Sequence, residues 1–171
     1  MQLQGLPSLG GAAARVLILG SMPGSASLSA GQYYAHRQNR FWPFMGHLVG
    51  ATPTLPYIER CHRLTTAGIA LWDVIAHCRR DGSLDSAIRD EAVNNFSGFL
   101  EIHPRIRTVL FNGAKAEASF VRRVLPTLAR PQPNCRRLPS TSPANASQTD
   151  AAKLAAWRAA LLDAGVRLAT R

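Results

Sequence analysis

The most constraining feature of the chain is a short apolar run that ends abruptly: Val16-Leu17-Ile18-Leu19, then Gly20-Ser21-Met22-Pro23-Gly24. Four successive apolar residues, two of them β-branched, fit a strand buried on both faces. Glycine opens backbone torsions that other residues resist, and Pro23 has no N–H to donate, so the run ends in a sharp turn. A turn at the carboxyl end of a buried strand is where open α/β sheets place their ligands. The following loop carries Tyr33, Tyr34, His36, Arg37, Asn39 and Arg40. A plain connection does not need so many large polar and aromatic side chains.

The remainder alternates between strand and helix signals. Phe41, Phe44, Met45 and Leu48 recur at helical spacing, a second helix begins at Thr54, and Gly68–Ile75 reads as a second strand. Arg79–Gly82 is a turn and Ser83–Ile88 a weak helical turn. Asn94–Ile102 is a helix ended by Pro104. Thr108–Phe111 is a third strand, and Asn112-Gly113 turns it into a helix over 114–125. Residues 126–134 form a linker, Arg136–Leu138 a fourth strand, and 149–164 a closing helix stopped by Gly165. This alternation predicts an α/β protein, a three-layer α/β/α sandwich around a central, mostly parallel sheet of about four strands. Residues 1–14, rich in Gly, Ala, Ser and Pro, read as a flexible leader, and 15–171 as one domain.

Charge narrows the partner. The formal net charge is +10, and apart from Lys115 and Lys153 the basic residues are arginines. Such a surplus favours a polyanion, since neutralising phosphates releases counterions; arginine-biased coding with a solvated surface is the plain alternative. Three cysteines at wide spacing (Cys61, Cys78, Cys135) fit neither a disulfide framework nor a structural zinc site nor a four-cysteine cluster. No apolar run is long enough to cross a bilayer, and the N-terminus lacks the pattern of a secretory signal, so a cytoplasmic protein is expected. No carboxylate cluster and no His/Cys/Asp set at metal spacing is present, so no cofactor or metal is implied.

Three loops, Gly20–Arg40, Phe111–Gly113 and Pro139–Ala146, each follow a predicted strand and should converge on one sheet edge. They offer aromatic faces (Tyr33, Tyr34), amides (Asn39, Asn112, Asn145), hydroxyls and free backbone N–H groups. That set suits a flat heterocycle, which stacks on an aromatic while amides contact its edge. Arg37, Arg40, Arg136 and Arg137 are the phosphate candidates. Each residue also has a plainer reading. Tyr34 can cover the sheet edge, Asn39 can cap the helix at Phe41, Asn112-Gly113 can be a simple turn, and Ser140 to Ser142 can make local turns.

GSMPG, the later AHRQNRFW and LPSTSPANA together resemble the uracil-DNA glycosylase superfamily. They resemble its mismatch-specific branch and, more closely, its hypoxanthine-DNA (deoxyinosine) glycosylase family. The resemblance runs from Arg15 to the last helix. It implies an α/β/α fold and a monofunctional hydrolase of N-glycosidic bonds in base excision repair, with DNA carrying a deaminated base as partner. Hypoxanthine is favoured, with uracil or xanthine behind, and a monomer is expected. Carried over residue by residue, Asn39 takes the catalytic position, and Ser21, Met22, Pro23, Gly24, Tyr34 and Asn112 the base-binding positions. Ser140, Thr141, Ser142, Pro143, Ala144 and Asn145, with Arg37 and Arg40, take the DNA-binding positions. There are departures. Met22 stands where the mismatch-specific branch has a water-positioning Asn, Ser140 where relatives carry His or Asn, and Ala144 near the side chain that wedges into the emptied stack. The competing reading is a non-catalytic DNA- or nucleotide-binding protein on the same fold. A hydrolase using Ser21 or Ser142 as nucleophile lacks a His placed by sequence to activate either.

Overall fold

The computed structural model describes residues 1–170. Its strands are Gln2–Gln4 (β1), Val16–Gly20 (β2), Ile69–Asp73 (β3), Ile75–Arg79 (β4), Arg89–Val93 (β5), Thr108–Asn112 (β6) and Asn134–Leu138 (β7). Its helices are Ser25–Ala30 (α1), Phe41–Val49 (α2), Tyr57–Thr66 (α3), Phe96–Ile102 (α4), Ala114–Arg123 (α5) and Asp150–Asp163 (α6).

The expected parallel sheet is present, in the order β3-β2-β6-β7 with every pairing parallel. Strand β2 is central and all five of its residues are buried, because side chains from both its faces meet helices. Val16 and Ile18 join Phe41, Met45, Leu48, Leu64 and Trp157 on one side, packed with α2, α3 and α6. Leu17 and Leu19 join Phe96, Phe99, Phe111 and Phe120 on the other, packed with α4 and α5. The period of two along the strand divides the core into these layers.

A second sheet departs from the sequence expectation. β1, β4 and β5 form an antiparallel trio in the order β1-β4-β5. Val74 separates β3 from β4, so the chain passes straight from the large sheet into the small one. Residues 1–14 are therefore not a loose leader. Gln2–Gln4 pairs with His77–Arg79, Gly5 N donates to Ala76 O at 2.7 Å, and Leu9 bridges to Leu71. The turn placed at Arg79–Gly82 and the helical turn at Ser83–Ile88, which proves to be a 3-10 turn at Asp85–Ala87, join these two strands. The sequences IAHCR and RDEAV hide them, because both are short and interrupted by charged or polar residues and the β4–β5 pairing is broken by register shifts.

Candidate active site

Because β2, β3, β6 and β7 run parallel, their carboxyl ends share one edge, and a cleft of about 570 Å³ opens there. Ser21, Met22, Pro23 and Gly24 line it after β2, Asp73 at the end of β3, Asn112 at the end of β6, and Ser140 to Asn145 after β7. Tyr34 and Asn39 reach it from the loop before α2. Arg37 and Arg40 do not line it. Arg37 is exposed, and Arg40 Nε lies 2.8 Å from Asp150 Oδ2. Arg136 and Arg137 are likewise paired, with Asp163 and Glu117.

Tyr34 occupies the left-handed backbone region at φ 54°, which costs a residue with a Cβ about 1 kcal/mol or more. Packing holds it there: its ring stacks on Phe41 with centroids 4.1 Å apart and planes at 26°. Burial, then the Asp73 charge, push its phenol well above the usual range, so it stays protonated. Neighbouring Tyr33 is buried and structural. Its hydroxyl donates to Pro7 O at 2.8 Å, and its carbonyl accepts from Trp42 Nε1 at 2.8 Å.

Asn39 Oδ1 accepts from Phe41 N at 2.9 Å, an Asx-type turn just ahead of α2, whose N-cap is Arg40 with no side-chain cap bond, so Asn39 is not the helix cap. The same residue lines the cleft. With the oxygen committed to the backbone, the Nδ2 donor is its free function.

Asn112 joins two strand ends. Its Oδ1 accepts from Thr141 N and its Nδ2 donates to Thr141 Oγ1, both at 2.9 Å. Thr141 O in turn accepts from Arg40 N at 2.9 Å. These bonds lock the loop after β7 onto β6 and onto the start of α2. Gly113, at φ 95°, turns the chain in a region that disfavours any side chain, and a Cβ there would press on Ser140 Cβ at 3.1 Å.

Three further ionisable residues line the cleft or support it from beneath. Asp73 is buried, and its Oδ2 has no hydrogen-bond partner among the described residues. Burial and the charge of Asp85 raise its pKa to about 7, against the pull of Arg80. Arg80 is buried and donates through Nη2 to Pro23 O, while its Nε and Nη1 lack partners among the described residues. Lys115, which the loop motifs do not include, also lines the cleft. Its ammonium pairs with Glu91. Burial works against ionisation of Glu91, but bonds from Lys115, Ser119 and Arg122 hold it at about 2. A hydrophobic strand end ahead of a lone Asp was the available hint for Asp73. Arg80 and Lys115 needed the three-dimensional structure.

A parallel sheet with helices on both faces and a cleft at its strand ends places the chain among the α/β proteins whose fold forms small-molecule sites at the sheet edge. Comparison with known proteins gives the particular family. The model of the uracil DNA glycosylase superfamily matches residues 7–164. Two curated relatives are named hypoxanthine DNA glycosylase. One, from Methanosarcina barkeri, is 38% identical over 68% of this chain and 74% of its own length. The other, from Methanosarcina acetivorans, is 40% identical over 66% of this chain and 72% of its own. A solution structure of a candidate uracil DNA glycosylase from Methanosarcina acetivorans superposes with a TM-score of 0.79 at 33% identity, covering 96% of this chain and 99% of that one. The chain belongs to the uracil DNA glycosylase superfamily, and it is a DNA glycosylase. Among the described residues no helix is long and apolar enough to cross a membrane.

Proposed function

We propose that the protein excises a deaminated base from DNA by hydrolysis, with hypoxanthine as the favoured base. The observation that carries this reading is that Tyr34, Asn39 and the turn after β2 meet in one cleft of about 570 Å³, within the range of small-molecule sites. Two relatives named hypoxanthine DNA glycosylase support the choice of base.

In this reading the target nucleotide leaves the stack and its base slides against the face of Tyr34 opposite Phe41. Extrusion costs roughly a few kcal/mol, less at a mismatch. The bond from the sugar C1′ to the base nitrogen breaks with oxocarbenium character. Water supplies hydroxide to C1′ and a proton to the departing base. An amide is no general base, so the rate comes from stabilising the leaving base and positioning the water. Asn39 Nδ2 and the backbone N–H groups of Ser21 to Gly24 are the donors. Met22 contributes packing, since a thioether cannot orient water. Release by hydrolysis alone is supported by the engagement of Lys115, the lysine that lines the cleft, with Glu91; a Schiff base would need that amine released.

The test is incubation with labelled oligonucleotides carrying one inosine or one uracil, single- and double-stranded, followed by alkaline cleavage at abasic sites. Inosine is expected to be cleaved, and Asn39→Ala to lower the rate by about 10²-fold or more, the size lost with one transition-state donor. Binding without base release in any duplex would favour the non-catalytic reading. A covalent adduct trapped by borohydride would overturn the monofunctional one.

A further inference from the structure

Leu84 stands out among the exposed apolar side chains. Met1, Ile58, Ile102, Val121 and Leu162 are also exposed, but of these six residues Leu84 lines the cleft and the others do not. It is 60% exposed, which places an isobutyl group in water at the mouth of the site. Nothing about the small sheet requires an apolar residue there.

The backbone around it is braced on every side. Ser83, one residue before, accepts from Ser25 N at 2.9 Å and shares a second 2.9 Å bond with the Ser25 hydroxyl. Asp85, one residue after, accepts from Ser21 Oγ at 2.6 Å. Arg89 Nη1 donates to Ser86 O at 2.7 Å and to Ile88 O at 2.8 Å, closing the turn beyond it. Both neighbours of Leu84 are thus fastened to the turn that follows β2, while Leu84 itself points its bulk away from any core. A rigid turn presenting one exposed apolar tip at a cleft is how side chains that part stacked bases are mounted.

The other loop of the cleft offers less to such a gap. Ala144 carries a methyl and Pro143 a compact ring, both exposed, and Ser140, Thr141, Ser142 and Asn145 are polar. A nucleotide that leaves a duplex opens a gap lined by the faces of two base pairs. An apolar side chain of Leu size gains by filling it, since its own surface and that of the bases leave water together.

We propose that Leu84 is the wedge that enters the base stack when the target nucleotide occupies the cleft. The wedge therefore comes from the turn between β4 and β5 and not from the loop after β7. This rests on the excision reading above. It makes Leu84 a positioning residue, whose contribution depends on the substrate having a stack to fill.

Single-turnover excision of inosine is measured in a duplex and in a single strand of the same sequence. Leu84→Ala is expected to lower the duplex rate about tenfold and the single-strand rate far less, so the duplex-to-single-strand ratio falls. Leu84→Met, which keeps an apolar wedge, is expected to hold the ratio near that of the wild type. A 2-aminopurine placed beside the inosine should brighten on binding less with Leu84→Ala than with the wild type. Equal losses on both substrates, or an unchanged ratio, would overturn the wedge while leaving the glycosylase reading intact. Wild-type protein that releases no base from either substrate would overturn that reading, and the role of Leu84 with it. Circular dichroism of Leu84→Ala checks that a fallen ratio belongs to a folded protein.

Discussion

The two loops that frame the cleft are held in opposite ways. The turn after β2 is fastened by side chains from elsewhere: Arg80 to Pro23 O, Asp85 to Ser21, and Ser83 to Ser25. The loop after β7 adds bonds of its own. Ser142 N donates to Ser140 Oγ, Ala144 N to Ser142 Oγ, and Ser147 N to Asn145 Oδ1. Its outside support comes from α6, where Lys153 donates to Ser140 O and Asn145 O and Trp157 Nε1 donates to Pro139 O at 3.0 Å, and from Asn112 on β6. The first loop therefore depends on buried charge and on the small sheet. The second depends on local turn chemistry and helix packing. A perturbation of Asp73, Arg80 or Asp85 should act on one, and a perturbation of α6, its buried Lys153 included, on the other.

The largest expected effect breaks the first loop. A Cβ on Gly20 would collide with Asp73 Oδ1 and lie 3.1 Å from the Tyr34 hydroxyl. Both are buried and have no room to yield. Gly20→Ala is expected to lower single-turnover excision by about 100-fold, as displacements near 1 Å in a site commonly do. Excision at the wild-type rate would show that the contact beneath this turn is irrelevant to the site.

Next in size is a pH effect confined to the same side. The carboxyl of Asp73 is raised to about 7, first by burial and then by the charge of Asp85. An acid raised on folding binds its proton more tightly in the native state, so its contribution to stability falls as pH rises from about 4 to about 7 and levels off above. Between pH 5 and pH 8 wild type is expected to lose about 3 kcal/mol relative to Asp73→Asn, whose side chain does not titrate. Urea unfolding of both proteins at the two pH values measures this, and a pH-independent difference would remove Asp73 as the charged weak point.

The smallest of the three concerns the second loop. Lys153 is 3% exposed and serves two loop carbonyls. Lys153→Met keeps the length of the stem and removes the donor, and about 2 kcal/mol of stability should go with it. Because the turns within the loop persist, excision should fall less than with Gly20→Ala. Equal or greater loss of activity would mean that α6, and not the loop's own turns, sets its shape.

The same division explains how much was legible in the sequence. The parallel sheet was, because Val16–Leu19 and Thr108–Phe111 are buried on both faces and carry an unbroken apolar signal. The loop after β7 was also legible, since Pro139-Ser140-Thr141-Ser142-Pro143 announces turns by composition. Asn112, by contrast, is shared with Thr141 in both directions, a partnership between residues far apart in the chain that spacing cannot show. The small sheet was not legible. Its strands are short and carry polar residues, two of the three lie at edges, and the expected leader supplies one of them. With that sheet hidden, the supports of the first loop were hidden too: Arg80 sat in an assumed turn, and Asp85 and Leu84 in an assumed helical turn. Asn39 shows a different limit: the sequence offers a helix cap or a catalytic residue, and the structure instead has its oxygen in a turn just ahead of α2 while the residue lines the cleft.

The extruded base is expected to lie between these two loops. A duplex carrying a 2′-fluoroarabino inosine, which resists hydrolysis, would be bound to the protein and the complex solved. The base is expected out of the stack, against Tyr34 and within reach of Asn39. A base still stacked in the duplex while the protein is bound, or seated outside the cleft at the strand ends, would contradict it.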